Sequence, residues 1–270
     1  MIVEVEFLMF WKRKIKRAES SRRGFSIPPG QRVYAIGDIH GRDDLFGKMI
    51  DLIRTDHFAR PPAHLTLVLL GDLVDRGPQS AQVVERAMNL RNEFPDVRYL
   101  IGNHEECFLA SLTGDVRRLR YFMRIGGDAT VQSYWPDGED FSDASFEEVA
   151  ERLPQFVPTS HVDFLGKGED MVEIGDYLFV HAGIRPGVPL EKQATADLRW
   201  IREDFLDYLG DHGKMVVHGH SISARPDEQA NRIGVDIGAF RSGALAALAI
   251  EENQRWFVVA EADASVAVPA

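Results

Sequence analysis

The sequence predicts an α/β fold in which two mixed β-sheets pack face to face between layers of helices, with a helical cap inserted part-way along the chain. Apolar runs of strand length alternate with segments of helical periodicity in residues 31–101, as in β-α-β units with right-handed crossovers. Residues 106–170 interrupt this alternation. The last third of the chain carries several strand-like runs without helices between them, which indicates a second sheet packed on the first.

The first sheet is predicted from three strand-like runs, residues 33–36, 65–70 and 97–101. They are mostly apolar, as buried parallel strands require, and each ends in a glycine followed by Asp or Asn. Residues 43–54 and 80–94, which lie between them, carry apolar side chains at helical spacing. Because ligands of such sheets collect outside the carboxyl ends of the strands, the polar residues after each run are candidate site residues.

The later segments predict the cap and the second sheet. Residues 106–170 contain a Gly-Gly pair, an acidic loop at 137–140 and a helical run at 146–153, and we expect a helical cap beside the site. The strand-like runs 177–180 and 214–217 lead into histidines, and the runs 232–236, 245–250 and 256–259 are typical of hairpin strands. We divide the chain into an N-terminal extension (1–30), one catalytic domain (31–262) and a C-terminal tail (263–270).

The composition of the 270 residues is that of a soluble globular protein, with 44% hydrophobic and 27% charged residues. The net charge of -11 argues against a general nucleic-acid binder, which would need a basic face. Cys107 is the single cysteine. It excludes an internal disulfide, fits a reducing compartment and lies in an apolar stretch, so we expect a packing role for it in a cytoplasmic protein.

The first thirty residues differ from the rest of the chain. An apolar stretch at 1–10 precedes a basic cluster at 11–17, which is the reverse of the order in a secretory signal peptide. The stretch contains two glutamates and is too short to span a bilayer. We interpret it as a flexible or loosely docked extension. The alternative is a weak membrane contact, in which Phe7, Leu8, Phe10 and Trp11 enter an anionic surface.

Five polar motifs, each directly after a strand-like run, carry residues that can bind metal ions. They are Gly-Asp38-Ile-His40-Gly, Gly-Asp72-Leu-Val-Asp75-Arg76-Gly, Gly-Asn103-His104-Glu105, His181-Ala-Gly and His218-Gly-His220. Carboxylate, imidazole and amide ligands together suit Mn²⁺, Fe²⁺ or Zn²⁺, whereas sites with oxygen ligands alone suit Mg²⁺ or Ca²⁺. Two such ions about 3.5–4 Å apart can share a water, lower its pKa and neutralise phosphate oxygens.

Any one of these motifs has a simpler structural explanation. An aspartate after a strand often caps the next helix, and a buried histidine often donates to a backbone carbonyl. His218 and His220 would point to opposite faces of a continuing strand, so at most one of them is expected to face the metals. The joint occurrence of all five motifs, in this order, is what indicates a dinuclear hydrolase.

The series of motifs resembles the phosphoprotein phosphatase family of calcineurin-like metallophosphoesterases, and most closely its bacterial and phage serine/threonine branch. The resemblance spans residues 32–250. It implies the calcineurin-like fold, an α/β/β/α sandwich, and a dinuclear site. Its metal ligands would be Asp38 and His40 for the first ion, Asp72 as the bridge, and Asn103, His181 and His220 for the second. His220 is preferred to His218 because the last ligand of the family follows a strand as Gly-His-Ser/Thr.

The resemblance also implies roles for the other matched residues. His104 would be the general acid, oriented by Asp75. Arg76, Asn103 and Arg202 would bind the substrate phosphate. A hydroxide bridging the two metals would attack phosphorus directly, without a phosphoenzyme, and the expected ions are Mn²⁺ or, as alternatives, Fe and Zn. Asp236 matches a family segment near the site, without an assigned role.

Three functions follow from these residues. The leading interpretation is a phosphomonoesterase that acts on phosphoserine, phosphothreonine or phosphotyrosine in phosphoproteins and phosphopeptides. The alternative is a symmetric dinucleoside tetraphosphate hydrolase, a relative that shares most motifs, including His181-Ala-Gly-Ile-Arg-Pro. That relative usually has Gly-Asn-His-Asp where this chain has Glu105, and Arg76 stands in the protein-phosphatase form Asp-Arg-Gly. A catalytically inactive binding module is less favoured, because no predicted ligand is missing.

Overall fold

The strands form two five-stranded mixed sheets. A computed structural model describes residues 24–136 and 138–262. The strands are β1 (Gln31–Ile36), β2 (His64–Leu69), β3 (Asp96–Tyr99), β4 (Met171–Ile174), β5 (Tyr177–Val180), β6 (Met215–His218), β7 (Asp227–Glu228), β8 (Arg232–Gly234), β9 (Ala244–Glu251) and β10 (Gln254–Glu261). The first sheet has the order β10-β9-β1-β2-β3 and the second the order β4-β5-β6-β8-β7. The predicted contact residues Phe7, Leu8, Phe10 and Trp11 and the tail 263–270 lie outside the described residues.

Helices cover the outer faces of the paired sheets. They are α1 (Asp43–Phe58), α2 (Ser80–Asn89), α3 (Asn103–Ser111), α4 (Val116–Phe122), α5 (Asp128–Tyr134), α6 (Phe146–Phe156), α7 (Thr159–Leu165), α8 (Thr195–Trp200), α9 (Glu203–Leu206) and α10 (Ala239–Ser242). A π-helical turn, Met123–Gly127, joins α4 to α5, and short 3-10 turns follow α2, precede α6 and precede α8. None of the described helices is long and apolar enough to cross a membrane.

Three apolar layers hold the sandwich together. One lies between the first sheet and helices α1 to α7, a second between the two sheets, and a third between the second sheet and α8 and α9. The alternation of side chains along β1 explains the first two layers, because Tyr34 and Ile36 face the helices while Val33 and Ala35 face the second sheet. The architecture is the predicted α/β/β/α sandwich.

The last two strands pair differently from the sequence-based expectation. The strands β9 and β10 form the predicted hairpin, but β9 pairs with β1 and so extends the first sheet. The strand β8, predicted as a hairpin strand, pairs in parallel with β6 and antiparallel with β7. Nearly all of β9 is buried and it is rich in alanine, so it fits an interior strand that needs a neighbour on each side. A local pattern cannot show which neighbours those are.

The segment predicted as a cap is helical and packs on the first sheet's helical layer. It contains the rest of α3 and all of α4 to α7, and α5 and α7 contact α2. Leu119, Phe122, Val131 and Leu153 belong to the same apolar layer as the helices next to β1 and β2. Thr130, in α5, faces inward toward the segment that follows β2. The cap therefore contributes directly to the edge where the parallel strands end.

Candidate metal centre

The candidate site lies at the edge of the two sheets where β1, β2, β3, β5 and β6 end. The polar segments after these strands bring together Asp38, His40, Asp72, Asn103, His104, His181 and His220, all of which are buried. Hydrogen bonds between segments join them: His104 N–H donates to Asp72, and His220 N–H donates to Asp38. Motifs far apart in sequence thus form one cluster at the edge where α/β sheets bind ligands.

The backbone is unusual at five residues of these polar segments. His40, Asp72, Asp75, Arg76 and His220 have positive φ angles of 46°, 49°, 75°, 69° and 61°. Among the described non-glycine residues only Glu252, in the turn between β9 and β10, shares this property. Such conformations cost on the order of 1–3 kcal/mol each and persist where the surroundings impose them, which is typical of functional sites.

The Asp72 carboxylate lies at the centre of the cluster. Its Oδ1 is 3.4 Å from His181 Nε2 and accepts the His104 backbone N–H at 3.1 Å, and its Oδ2 is 3.7 Å from His40 Nε2. Burial opposes ionisation, but the surrounding imidazoles, led by that of His181, hold the pKa of Asp72 below its usual value. Asp72 is therefore an ionised carboxylate, with the His181 imidazole near one oxygen and the His40 imidazole near the other.

Two sets of side chains bring their ligand atoms close enough to hold a metal ion, and Asp72 belongs to both. One set is His40, Asp72 and His104, and the other is Asp72, His181 and His220; within each set the ligand atoms lie within 4.8 Å of one another. A shared Asp72 is the geometry of a bridging ligand. Asp38 is outside both sets and His104 is inside the first, whereas the sequence analysis expects Asp38 as a ligand and His104 as the acid.

The hydrogen bonds of His181 indicate that the residues fit a cation. Its Nδ1 is 2.8 Å from the Leu70 carbonyl oxygen and donates to it, so Nε2 carries a lone pair. That lone pair faces the amide oxygen of Asn103 at 3.0 Å and Asp72 Oδ1 at 3.4 Å, which are also acceptors. Protonation of Nε2 is disfavoured because burial lowers the pKa of His181. A cation among these acceptors removes their repulsion.

His40 has the same arrangement. Its Nδ1 donates to the Val74 carbonyl oxygen at 2.8 Å, which leaves Nε2 as a lone pair directed toward Asp72 and Arg76. Burial lowers its pKa well below the usual value. A backbone carbonyl that fixes the tautomer and orientation of a ligating histidine is common around metal sites. His40 is thus a neutral imidazole prepared to donate a lone pair.

His220, Asp38 and Asp236 give a second indication of a cation. The buried atoms His220 Nε2 and Asp236 Oδ2 have no hydrogen-bond partner among the described residues. Burial and the neighbouring carboxylates of Asp236 and Asp72 raise the pKa of Asp38 well above its usual value. Buried carboxylates beside an unpartnered imidazole are costly without a positive charge. The donor set of carboxylate, imidazole and amide matches transition-metal ions.

Glu105 organises the two loops that carry Asp72 and Asn103. Its fully buried carboxylate accepts four backbone N–H groups, those of Asp72 at 2.9 Å, Leu73 at 2.7 Å, Val74 at 3.2 Å and Gly102 at 2.9 Å. Burial, followed by the charge of Asp72, raises the pKa of Glu105 to about 7, and the four donors oppose that shift. The sequence analysis used Glu105 only to compare families and did not identify this bonding role.

Asp75 holds the imidazole of His104. Its Oδ2 is 2.5 Å from His104 Nδ1, and its Oδ1 accepts the Thr130 hydroxyl at 2.6 Å. The Asp75 backbone N–H donates to Ser80 Oγ at 3.0 Å and Thr130 Oγ1 at 2.8 Å. Burial lowers the pKa of His104, but Asp72 and Asp75 outweigh it and the pKa is raised overall. The sequence analysis missed Thr130 and Ser80, and a lone Thr or Ser in a helical run carries no signal that could find them.

Arg76 lies over the first set of possible ligands. Its guanidinium donates to His40 Nε2 at 2.8 Å and His104 Nε2 at 2.9 Å, and its Cζ is 4.9 Å from the centre of the Phe240 ring. The backbone N–H of Arg76 donates to the Gly126 carbonyl oxygen of the π-helical turn at 2.8 Å. Phe240 is a further site residue that the sequence analysis did not find.

Arg202 and Arg199 have different surroundings. Arg199 pairs with Asp170 and Glu106 and is largely buried, whereas Arg202 is exposed in the link between α8 and α9. Arg202 is tied to the site through α9, because its carbonyl oxygen accepts the Phe205 N–H at 2.9 Å and the Phe205 ring lies 5.1 Å from that of His218. His218, at the end of β6, packs its ring on Phe205 and stands outside both possible ligand sets. The preference for His220 over His218 as a ligand stays a prediction.

The model of one protein family matches residues 31–237 of this chain, and its description is calcineurin-like phosphoesterase. A curated relative, a symmetrical bis(5'-nucleosyl)-tetraphosphatase from Acidovorax ebreus (strain TPSY), is 33% identical over 181 residues, which cover 66% of this chain and 49% of the relative. The chain thus spans about half the length of that relative.

Two solved structures show the same fold at low sequence identity. One, provisionally described as a diadenosine tetraphosphatase, has a TM-score of 0.58 and 22% identity and covers 87% of this chain and 99% of its own. The other is a protein serine/threonine phosphatase from Saccharomyces cerevisiae, with a TM-score of 0.56, 15% identity and coverage of 90% and 85%. At these identities the two structures support the architecture, and substrate classes must be argued from the site.

Proposed function

The chain belongs to the calcineurin-like phosphoesterase family, and on that premise we propose that it is a metal-dependent hydrolase of dinucleoside tetraphosphates. The observation that carries this proposal is the 33% identity to symmetrical tetraphosphatases from two Acidovorax strains. This substrate is the alternative in the sequence analysis, and the comparisons favour it over the phosphoprotein. We retain the division into an extension (1–30), a catalytic domain (31–262) with its cap (106–170) and a tail (263–270) as part of the proposal.

The proposed metal ligands are the residues at the edge of the two sheets. They are Asp38 and His40 for one ion, Asp72 between the two ions, and Asn103, His181 and His220 for the other. When bound, two divalent ions would activate a shared water at neutral pH and neutralise charge on the phosphate oxygens. The mixture of oxygen and nitrogen donors favours Mn²⁺, with Fe²⁺ or Zn²⁺ as alternatives.

The side chains around the ligands would hold the phosphate and supply a proton. Arg76, Asn103 and Arg202 would donate hydrogen bonds to phosphate oxygens, the two arginines through planar guanidinium groups. For this, Arg76 must give up its hydrogen bonds to His40 and His104. His104 Nε2, freed in this way, would take up a proton from water, which its raised pKa favours, and pass that proton to the departing oxygen while Nδ1–H stays bonded to Asp75.

Hydrolysis of phosphoproteins is the second candidate function. The motif Asp75-Arg76-Gly and the residue Glu105 favour it, because both have the protein-phosphatase form. Both residues are also firmly held, Glu105 by four backbone N–H groups and Arg76 by the π-helical turn. The candidate differs from the first in the leaving group, which is a serine, threonine or tyrosine side chain.

A comparison of substrates distinguishes the two functions. The metal-depleted protein would be restored with Mn²⁺ and tested on diadenosine tetraphosphate and on phosphoserine, phosphothreonine and phosphotyrosine peptides at equal concentrations. Asp72→Asn serves as the inactive control, because it removes the shared ligand. We expect the dinucleotide to be hydrolysed with the higher kcat/KM and the variant to lose this activity. Efficient turnover of peptides alone would overturn the proposal in favour of a protein phosphatase.

A further inference from the structure

Most arginines in the described part of the chain lie within 4.0 Å of a carboxylate. The exceptions, within residues 24–136 and 138–262, are Arg76, Arg91, Arg124, Arg202, Arg225 and Arg241. This is unexpected in a chain with 42 acidic and 31 basic residues, where carboxylates are plentiful. Arg76 is the phosphate-clamp candidate. The positions of the other five show where exposed positive charge stands without a carboxylate partner.

Two of the unpaired arginines stand directly beside the candidate site. Arg241 Cζ is 5.9 Å from the centre of the Phe240 ring, and the same ring lies 5.5 Å from His40 and 4.9 Å from Arg76 Cζ. The Arg202 carbonyl oxygen accepts the Phe205 backbone N–H at 2.9 Å, and the Phe205 ring lies 5.1 Å from that of His218, two residues before His220. Both arginines are exposed, so their guanidinium groups are accessible to a solute that enters the site.

Arg124 and Arg225 lie on two other segments that border the site, and both are exposed. Arg124 belongs to the π-helical turn, whose Gly126 carbonyl accepts the Arg76 backbone N–H. Arg225 follows the segment that begins at His220, and its carbonyl oxygen accepts the Ser223 hydroxyl at 2.6 Å. The Ser223 backbone N–H in turn donates to the carbonyl of Asp236, the carboxylate next to Asp38.

Among the described residues, Arg91 is the unpaired arginine that lies remote from the site. It follows α2, which begins at Ser80 beside Asp75 and runs away from the site for ten residues, or about 15 Å. Arg124, Arg225 and Arg241 belong to three segments near the site, which are the π-helical turn, the segment after His220 and α10. We call Arg124, Arg225 and Arg241 the guanidinium rim.

We propose that the guanidinium rim binds the part of the substrate beyond the cleaved phosphate, and that this part is a chain of further phosphates. The inference rests on the proposed function and extends it. A net charge of -11 repels a polyanion, so its capture requires a local cationic field at the opening. A single phosphate dianion is served by Arg76 and Arg202 together with the metals. The three additional cations match the extra charge of a tetraphosphate chain.

The test removes rim charge without touching the catalytic machinery. Arg124→Gln, Arg225→Gln and Arg241→Gln are made singly and together, and Arg202 is left intact because it is a proposed phosphate ligand. Arg91→Gln is the matched control, since it removes an equally unpaired charge far from the site. Each protein is assayed with Mn²⁺ on diadenosine tetraphosphate, on p-nitrophenyl phosphate and on an acidic phosphopeptide. Inhibition by tripolyphosphate and by orthophosphate, and calorimetric binding of tripolyphosphate, are measured in parallel.

The triple variant should lose about tenfold or more in kcat/KM for diadenosine tetraphosphate and in tripolyphosphate affinity, and its rates should depend less on salt. Turnover of p-nitrophenyl phosphate, inhibition by orthophosphate and all properties of Arg91→Gln should stay unchanged. Equal losses on both substrates would overturn the inference, because they would indicate a structural role. Unchanged tripolyphosphate affinity would also overturn it, as would a loss confined to acidic phosphopeptides, which would assign the rim to a protein substrate.

The test separates this inference from the proposed function. If the unmodified protein does not hydrolyse diadenosine tetraphosphate, the proposed function fails. Calorimetry with tripolyphosphate still decides whether the rim binds a phosphate chain. If the triple variant hydrolyses the dinucleotide as well as the unmodified protein does, the inference about the rim is wrong and the proposed function stands.

Discussion

Glu105 takes no direct part in the proposed chemistry, yet its carboxylate bonds to both loops that present ligands. Each of its oxygens accepts two backbone N–H groups: Oε2 those of Asp72 and Gly102, and Oε1 those of Leu73 and Val74. Asp72 has a positive φ, and the carboxylate supplies part of the energy that keeps it there. Glu105 is a positioning residue for the shared ligand.

Glu105→Gln should weaken metal binding by about 10–100-fold, the range found when outer partners of metal ligands are removed. Glutamine has nearly the same shape, but its amide NH₂ would face two of the four N–H groups and could not accept from them. The measurement is the Mn²⁺ dissociation constant by calorimetry, together with activity at saturating Mn²⁺.

The control for this prediction is Glu106→Gln on the same helix. Glu106 pairs with Arg199 and is partly exposed, so its loss should leave metal affinity unchanged. If Glu105→Gln binds Mn²⁺ as tightly as the unmodified protein, the carboxylate does not position the ligands and this account is wrong.

At the scale of secondary structure, the π-helical turn is the element that couples the cap to the site. Gly126 in this turn has a φ of 105°, and a Cβ added to it would lie 2.7 Å from Arg76 Cγ. Its carbonyl also accepts the Arg76 backbone N–H at 2.8 Å. Gly126 thus kinks the chain between α4 and α5, and this kink contacts the phosphate-clamp candidate through both its backbone and its Cα position.

Gly126→Ala should therefore raise KM for phosphate substrates by several-fold in addition to destabilising the fold. Gly114→Ala is a matched control, because Gly114 also has a positive φ, 80°, but a Cβ there would contact nothing within 4 Å. Both variants should lose about 1 kcal/mol of unfolding free energy from backbone strain. Steady-state kinetics and urea denaturation measure the two effects, and equal KM values in the two variants would contradict a role for the turn.

A second connection at this scale joins α1 to α10, the short helix that carries Phe240. The nearly buried Arg42 donates to both oxygens of Asp44, at 2.8 and 2.6 Å, and to the Ala239 carbonyl oxygen at 2.9 Å. Its hydrogen bonds to Asp44 hold the pKa of that carboxyl below the usual value. A depressed folded pKa means that the carboxylate stabilises the fold above the unfolded pKa, about 3.9.

Asp44→Asn should accordingly lower the free energy of unfolding at pH 6, by less than about 1 kcal/mol because solvent screens the pair. The difference between variant and unmodified protein should be constant from pH 7 to 5 and should shrink as the pH falls below 4. Urea denaturation at a series of pH values measures it. A difference that is the same at pH 6 and pH 3.5 would show that the ion pair is not its origin.

Local patterns predicted the strands and helices of residues 31–101, and they were insufficient where distant segments meet. Strand-like runs and glycine-bounded motifs located Asp38, His40 and Asp72, because a strand end and its ligands are adjacent in sequence. Thr130 is 55 residues from Asp75 along the chain, and its hydrogen bond depends on how the cap packs. The placement of β9 beside β1 depends likewise on long-range packing. Local sequence periodicity does not indicate such long-range contacts.

At the scale of the whole molecule, the site concentrates buried charge in the interior of the fold. The carboxylates of Asp38, Asp72 and Asp236 are all nearly inaccessible to solvent, and burial lowers the pKa of the neighbouring imidazoles of His40 and His181. Burying like charges without a counter-charge destabilises a fold, so bound cations should stabilise this one. Stability and metal occupancy should therefore be linked.

Adding Mn²⁺ to the metal-depleted protein should raise its melting temperature. Binding at a concentration 100 times Kd contributes about 2.7 kcal/mol per site, and about 1 kcal/mol shifts the Tm of a chain of this size by roughly 2–4 °C. We expect an increase of about 5–10 °C per occupied site, reversed by a chelator and measured by calorimetry. In Asp72→Asn most of this increase should disappear. The comparison must use the shift on adding metal, because neutralising a buried carboxylate can itself stabilise the metal-free fold. An undiminished shift in the variant would place the stabilising ion elsewhere in the protein.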